Sequence, residues 1–497
     1  MDYVLGIDVG TGGTRAVLVD HAGVIAASAT SEHVPFASPQ TGWAEQDPHD
    51  WWKAAGSAIK QVLASAKNPN IVCVGLAGQM HGAVLLDESD QVLRPALIWC
   101  DQRTQAQCDW LNAKLGEQRI IELTCNPALT NFTLTKLLWV RDNEPEIWKR
   151  FRRVLLPKDY VRFRLTGEHA MDVAEASGTL MLDVAHRRWS QEMMSAAGLP
   201  MSSLPKLFES PEICARISEA GAAHSGLKPG TPVVAGAGDQ AGGAVGMGIV
   251  RAGVVSATIG TSGVVFAATD NPAMDAKGRV HTFCHAVPGR WHVMGVTQAA
   301  GLSFSWIRDL LRNDSAQPSF DQLTQEAAAV PAGSDGVLWA PYLMGERTPH
   351  LDPNARATLT GLAASHTRGH VVRAVLEGVA FSLKDTFSLF AEMHVPVNKV
   401  RLGGGGARSD LWRQIQADVY EHEVEILTAE EGAAYGGALL AGVGAKFWGS
   451  VEEACDAVVS VHTRVSPDAK AAPVIKKQYK NYQKLYPALK PIFSRLS

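Results

Sequence analysis

Apolar runs separated by glycine-rich turns predict two similar hairpins far apart in the chain. Residues 3–7 and 16–19 are apolar and β-prone, with the sequence Gly-Thr-Gly-Gly at 10–13 between them. The pattern returns at residues 255–267, where Gly-Thr-Ser-Gly at 260–263 separates two further apolar runs. Short apolar runs bounded by glycine are typical of buried strands. We therefore predict two similar domains, each opening with a hairpin.

The segments between and after these hairpins alternate in their predicted structure. Residues 51–64 and 132–140 have the spacing of amphipathic helices, and residues 72–76 form a strand-like run. This alternation predicts an α/β fold with a cleft between the domains. Because the second hairpin alone marks the boundary, we expect domains at residues 1–248 and 249–497. The stretch from about residue 450 is predicted to be largely helical.

Composition narrows the class of protein. The chain has 497 residues, a formal net charge of −4 and no cluster of basic residues. This argues against a nucleic-acid surface or a polybasic membrane anchor. The seven cysteines form no CxxC pair, which favours reduced thiols and a cytoplasmic location. With a strand predicted from about residue 3, we expect no signal peptide. The long uncharged stretches contain glycines and polar residues, so we expect buried strands rather than membrane spans.

The first hairpin places a carboxylate beside its glycine-rich tip. Asp8 ends the first apolar run, and the tip follows at once. Glycines allow the backbone N–H groups of such a tip to approach phosphate oxygens closely. Asp8 is then placed to hold a magnesium ion near those phosphates. An ordinary hairpin turn remains the alternative for this segment.

A second acid follows another predicted strand. Residues 232–235 are apolar, and the sequence Gly-Ala-Gly-Asp-Gln at 236–240 comes next. Asp239 stands where a helix is expected to begin, a position that favours an ionised carboxylate. Such a group can accept the proton of a hydroxyl that attacks a phosphorus atom. The alternative is an aspartate that only caps the helix.

Two other strand ends carry candidate binding residues. Four glycines at 403–406 follow the apolar residues 400–402, which indicates close backbone approach to a flat or anionic group such as adenosine, with a flexible loop as the alternative. The run from Cys73 ends in Gln79-Met80-His81. Gln79 and His81 could bond sugar hydroxyls and Met80 could form an apolar wall, whereas a structural histidine is the alternative.

These motifs, in this order, resemble the FGGY family of carbohydrate kinases within the actin-like ATPase superfamily. Residues 133–143 are similar to the first family signature, although Asn131 departs from its opening position. Residues 357–362, continuing through 370–377, are similar to the second. The resemblance extends from Tyr3 to about Ala445.

The resemblance implies two actin-like (ribonuclease H-like) domains and ATP-dependent phosphorylation of a sugar hydroxyl. It implies that Asp239 is the catalytic base and that Asp8 binds Mg²⁺. The implied substrate-binding residues are Gln79, Met80, His81, Asp239 and Gln240. The implied ATP-binding residues are Thr11, Gly12, Gly260, Thr261, Gly404 and Gly405.

The substrate-side segments at 79–82 and 342–350 are most similar to those of family members that phosphorylate D-xylulose, at O5. Another ketose or polyol, such as ribulose, is the nearer alternative. A non-catalytic actin-like nucleotide switch is the alternative from a different class. The expected partners are ATP and a small sugar, with neither nucleic acid nor membrane, and a homodimer is left open.

Overall fold

A computed structural model describes residues 1–497 apart from 68, 313–316, 429–431, 494 and 497. The described residues contain two seven-stranded mixed sheets, one in each half of the chain. The strands of the first sheet are β1 Asp2–Val9, β2 Gly13–Asp20, β3 Ile25–Glu32, β4 Asn70–Gly78, β5 Ile213–Arg216, β6 Pro232–Val234 and β7 Ala237–Gly238. Those of the second are β8 Gly253–Ile259, β9 Gly263–Thr269, β10 His281–Cys284, β11 Trp291–Thr297, β12 Val397–Gly404, β13 Val424–Leu427 and β14 Val461–Val465.

Both predicted hairpins are confirmed, and each occupies the same place in its sheet. In the first sheet the order is β5-β6-β4-β1-β2-β3, with β7 paired to β4. In the second it is β10-β11-β9-β8-β12-β13-β14. β1 and β8 are each antiparallel to the next strand and parallel to a later one. The two sheets therefore repeat one arrangement around their glycine-rich turns.

Helices cover the sheets and connect the strands. They are α1 Pro48–Ser65, α2 Gln105–Leu115, α3 Glu117–Thr124, α4 Thr133–Asn143, α5 Pro145–Arg150, α6 Pro157–Thr166, α7 Val173–Ser177, α8 Gln191–Ala197, α9 Glu219–Ser225, α10 Asp239–Gly246, α11 Gly301–Leu310, α12 Phe320–Ala328, α13 Arg368–Glu392, α14 Asp410–Tyr420, α15 Gly432–Gly444, α16 Val451–Val458, α17 Ala472–Tyr482 and α18 Leu485–Phe493. The predicted helical character of the C-terminal stretch is confirmed, with β14 as the exception.

Short two-stranded ribbons supplement the main sheets. They pair Glu45–Gln46 with Ala96–Leu97, Val84–Leu86 with Arg153–Leu155, Ala170–Asp172 with Lys206–Phe208, Leu182–Asp183 with Arg188–Trp189, and Leu338–Ala340 with Thr358–Thr360. Three of the ribbons join segments more than 35 residues apart in the chain. They therefore tie distant loops of the first half to one another.

Helix α15 belongs to the second half by sequence but packs on the first sheet. A Cβ atom at Gly6 would collide with the carbonyl oxygen of Ala434, and one at Gly75 with that of Gly437. Glycine at both strand positions therefore allows the helix backbone to approach the sheet directly. Apolar side chains of α15, including Leu439 and Leu440, join the first-half core in the same cluster.

An apolar cluster with members from both halves also joins them. It contains Met80, Phe132 and Leu138 from the first half together with Phe283 and Met294 from the second. Burial of this much apolar surface stabilises the relative placement of the two sheets. One continuous apolar cluster therefore joins the two halves.

Candidate active site

The acidic and glycine-rich segments of the first half meet at one edge of its sheet. β4 runs parallel to β1 with Ala77 opposite Asp8, and β7 runs parallel to β4 with Gly238 opposite Gly78. Parallel strands end at the same edge, so the residues after β4 and β7 emerge beside Asp8. Asp239, the first residue of α10, lies near enough for its charge to raise the pKa of Asp8.

Asp8 has a buried oxygen that accepts no hydrogen bond from the described part of the chain. Its Oδ1 has no hydrogen-bond partner among the described residues. Burial, aided by the charge of Asp239 and opposed by Arg15, raises the pKa of Asp8 to about 7. A buried acceptor without a partner is costly unless a ligand satisfies it. The donor chemistry at Asp8 therefore fits a bound cation.

A magnesium ion at Asp8 would need ligands from outside the protein side chains. The described residues contain no cluster of three or more His, Cys, Asp or Glu side chains that could hold a metal. Magnesium is commonly held by one or two carboxylates together with phosphate oxygens and water. The residues present fit that arrangement and do not fit an all-protein metal cage.

Asp239 is a buried carboxyl group at the start of a helix, with a raised pKa. Burial raises the pKa of Asp239 to about 6, while hydrogen bonds with the backbone and side chain of Gln240 oppose the shift. A carboxyl group with a pKa near 6 is mostly ionised at neutral pH and can accept a proton. The helix N-terminus at α10 further favours the ionised form.

His81 presents a hydrogen-bond acceptor from the segment after β4. Its Nδ1 lies 2.7 Å from the carbonyl oxygen of Gly178, which can only accept, so Nδ1 carries the proton. Burial and the nearby Lys136 lower the pKa of His81 to about 3, and the ring is therefore neutral. Nε2 thus has a free lone pair and no partner among the described residues. Met80 lies buried beside it, against Gly238.

Gln79 makes its side-chain contacts with the first hairpin tip. Its Nε2 donates to the carbonyl oxygen of Gly10 at 3.3 Å and to Gln46 Oε1 at 3.0 Å. Its Oε1 accepts from Thr11 Oγ1 at 3.2 Å. These contacts support the tip that was predicted to bind phosphate. The sugar-binding role expected for Gln79 stays a prediction.

The outer side of the first tip is open. A Cβ atom at Gly12 would meet no described atom within 4 Å, so its backbone is accessible to a ligand. Trp99, which is 44% exposed, donates from Nε1 to Thr11 Oγ1 at 2.9 Å. Sequence reasoning did not assign Trp99 to the site. Its neighbours Asp101 and Arg103 pair with each other at 2.7 Å.

The second tip opens on a cavity of about 650 Å³. Gly260, Thr261 and Gly405 line it, while its apolar walls come from Phe304 and Trp412. That the three residues bind ATP stays a prediction. A cavity of this volume and mixed lining is typical of small-molecule and cofactor sites. Gly404 is not among the lining residues: it pairs with Ile259 where β12 runs parallel to β8, and its positive φ of 73° and the nearby carbonyl oxygen of Ile259 both favour glycine there.

Among the cavity residues that sequence reasoning missed are an arginine and an aromatic residue in contact with each other. Arg308 and Phe320 line the cavity, and the guanidinium carbon of Arg308 lies 4.1 Å from the ring centroid of Phe320. Stacking of a guanidinium on an aromatic ring gives a flat, positively charged surface. Neither residue lies in a glycine-rich turn after a predicted strand, which is the pattern from which the other site residues were predicted.

No helix among the described residues is long and apolar enough to cross a bilayer. The uncharged stretches discussed above form strands of the two sheets instead, β4 in the first and β8 with β9 in the second. The prediction that they are buried strands is therefore confirmed for the described residues.

The two halves match known protein families. The model of the FGGY family of carbohydrate kinases, N-terminal domain, matches residues 3–246. The model of the FGGY family of carbohydrate kinases, C-terminal domain, matches residues 255–445. The chain therefore belongs to the FGGY family of carbohydrate kinases, and the enzyme class predicted from its motifs is confirmed.

Individual relatives cover the whole chain. The "Xylulose kinase" of Bacillus subtilis (strain 168) is 38% identical, covering 100% of this chain and 99% of its own. That of Escherichia coli (strain K12) is 38% identical, covering 99% and 100%. The crystal structure of xylulose kinase from Rhodospirillum rubrum superposes with a TM-score of 0.92 at 30% identity, covering 99% of this chain and 100% of that one. The predicted α/β fold of two actin-like domains is thereby confirmed.

Proposed function

We propose that this enzyme transfers the γ-phosphoryl group of ATP to a pentulose, D-xylulose, at its terminal O5. The observation that carries the proposal is the convergence of Asp8, Asp239 and the segment 79–81 at one sheet edge, beside the first glycine-rich tip. The relatives that match over the whole chain are xylulose kinases, which supports the choice of sugar.

In this proposal Asp239 is the general base. Its carboxylate accepts the O5 proton while O5 forms a bond to the γ-phosphorus and the bond to the β-phosphate oxygen breaks, releasing ADP. A pKa near 6 suits this role, since the group is ionised at neutral pH yet basic enough to take the proton. Gln240 beside it adjusts that pKa and is proposed to contact the sugar.

The remaining site residues bind and orient the substrates. His81 Nε2 accepts a hydrogen bond from a sugar hydroxyl, and Met80 forms the apolar wall beside it. The backbone N–H groups of Thr11 and Gly12 are proposed to face the transferring phosphoryl group. Asp8 is proposed to hold Mg²⁺, which when bound neutralises charge on the phosphate oxygens.

ATP is proposed to bind across the two halves. Its nucleoside would occupy the cavity at Gly260, Thr261 and Gly405, with Gly404 shaping the turn next to it. We propose the division into residues 1–248, which hold the sugar and magnesium, and 249–497, which hold the nucleotide. We also propose a cytoplasmic location, which the seven free cysteines support. Sedimentation analysis of the purified protein decides between a monomer and a homodimer.

The test is an ADP-release assay with a sugar panel and an Asp239→Asn variant. D-xylulose should give the highest kcat/KM among D-xylulose, D-ribulose and glycerol. Asp239→Asn should lower kcat by about 10³-fold or more while leaving the Kd for ATP within about twofold. Asp385→Asn is the matched control, because Asp385 is also buried with a pKa raised to about 7 but bonds Tyr479 in the second half.

Each alternative predicts a different result. A preference for ribulose or glycerol would replace the substrate and retain the mechanism. ATP hydrolysis that no sugar accelerates would favour the actin-like nucleotide switch. Full sugar phosphorylation by Asp239→Asn would contradict the assignment of the base.

A further inference from the structure

Lys136 is a fully buried lysine that bonds only main-chain carbonyl groups among the described residues. Its Nζ donates to the carbonyl oxygen of His81 at 2.8 Å and to that of Asn131 at 2.5 Å. No carboxylate of the described residues lies within 4 Å of it. The charge of Asp101, which is paired with Arg103, opposes the effect of burial on the pKa of Lys136 only from a greater distance. A buried amine without a counter-ion is costly, so its retention calls for a specific contact.

The carbonyl group of His81 receives two donors from a single helix turn. Thr133 Oγ1 also donates to this oxygen, at 3.2 Å, and both donors lie in the first turn of α4. His81 itself has a φ of 68°, a left-handed conformation that is unfavourable for a residue with a side chain. Such a conformation persists only where surrounding contacts determine it.

Further contacts fix the ring of His81 once its backbone is held. Nδ1 bonds Gly178, and the ring packs edge-on against Phe132 with centroids 5.1 Å apart. Rotation of the backbone at residue 81 would break both contacts and turn Nε2 away. The acceptor that the sugar is proposed to use therefore depends on the carbonyl contact at the other end of the residue.

We infer that Lys136 is a positioning residue that holds the sugar-binding segment through the backbone of His81. Thr133 contributes to the same contact. This inference rests on the proposed function for the identity of the ligand. Lys136 does not touch the sugar; it determines the direction in which His81 Nε2 points. Burial lowers the pKa of Lys136 to about 7, and a neutral amine still has two N–H groups for its two carbonyl acceptors.

The test measures sugar and ATP affinities separately by calorimetry, with D-xylulose or whichever panel sugar the wild-type protein phosphorylates. Lys136→Met keeps the shape of the side chain and removes its donors. It should raise the Kd for the sugar by about tenfold or more and leave the Kd for ATP within about twofold of the wild-type value. In a His81→Ala background, Lys136→Met should change the sugar Kd by less than about twofold, because the acceptor is already gone.

A threonine pair in the same helix turn supplies a matched control. Thr133 and Thr135 are both fully buried, but Thr135 Oγ1 bonds Phe132 rather than His81. Thr133→Val should raise the Kd for the sugar severalfold, and Thr135→Val should leave it unchanged. This pair decides the question if Lys136→Met fails to fold.

Several outcomes would overturn the inference. Lys136→Met with a wild-type sugar Kd, equal losses in the wild-type and His81→Ala backgrounds, or equal effects of the two threonine variants would each do so. These results leave the proposed function intact if the wild-type protein phosphorylates a sugar. If it neither binds nor phosphorylates any sugar of the panel, the proposed function and the inference both fall.

Discussion

The two hairpin tips have nearly the same sequence but are supported in different ways. Side chains take part in supporting the first tip: Gln79 bonds the carbonyl oxygen of Gly10, and Gln46 bonds that of Thr11 at 2.8 Å. The backbone N–H of His33 also bonds the carbonyl oxygen of Gly12, at 2.9 Å. Backbone groups support the second, where the N–H groups of residues 301 and 302 bond the carbonyl oxygens of Gly260 and Thr261 at 2.9 and 3.1 Å. A repeated motif therefore identifies a repeated backbone shape without identifying its surroundings.

A buried carboxylate near each tip shows the same contrast. The pKa of Asp8 and that of Glu346 are both raised to about 7, chiefly by burial. Asp8 Oδ1 has no described partner, whereas Glu346 accepts four hydrogen bonds. Its donors are two backbone N–H groups and two hydroxyl groups, from Gln298, Arg347, Thr297 and Ser382. The two carboxyl groups therefore have similar pKa values but differ in how many hydrogen bonds their oxygens accept. Asp8 has an oxygen available for a ligand, whereas the oxygens of Glu346 are used within the protein.

The largest expected effect comes from Asp8→Asn. We expect kcat to fall by about 10³-fold, because the amide cannot replace the charge that the proposed Mg²⁺ needs. The melting temperature should equal or exceed that of the wild-type protein, since the variant lacks a buried charge. Kinase assays across Mg²⁺ concentrations and thermal unfolding measure both. A variant with wild-type kcat would remove the distinction between the two carboxylates.

The next effect is a pH dependence of stability at Glu346. Its pKa is higher in the folded protein than the ordinary value of 4.5, so the folded state binds the proton more tightly. Stability is therefore greatest below about pH 4.5 for this group and falls as the pH rises towards about 7. Glu346→Gln should remove about 2 kcal/mol of that fall between pH 5 and 7.

The Glu346→Gln protein is expected to fold. The glutamine Oε1 can keep the two backbone donors, and its amide group can donate to the hydroxyl groups, which rotate. Urea unfolding at pH 5, 6 and 7, followed by tryptophan fluorescence, gives the difference between the proteins. Parallel curves for variant and wild type would show that Glu346 does not titrate in this range.

The smallest expected effect concerns the support of the second tip. In Gly301→Ala, the new Cβ would collide with the carbonyl oxygen of Gly260 and displace the tip. We expect KM for ATP to rise by about five- to tenfold with KM for the sugar unchanged. Gly243→Ala is the control, because a Cβ there meets no described atom within 4 Å. An equal rise in both KM values would mean that the tips do not act separately.

The sequence predicted the strands and turns of this site well, since these depend on local patterns. Asp8 and Asp239 could be proposed because each follows an apolar run directly, and parallel strands bring such positions together. The contacts of Gln79 could not be predicted, because they depend on which tip lies across from it in the sheet. Lys136 lay inside a recognised signature, but its acceptor is a carbonyl group 55 residues away.

The close packing of α15 against glycines of the first sheet affects any attempt to produce the two halves as separate fragments. A fragment ending near residue 248 would lack the helix whose backbone touches Gly6 and Gly75. Its sheet would expose Val4, Val17 and Cys73, which α15 helps to bury. A fragment beginning there would carry α15 with no sheet to receive it. Neither half is therefore a self-sufficient folding unit, because a helix from the second half completes the core of the first.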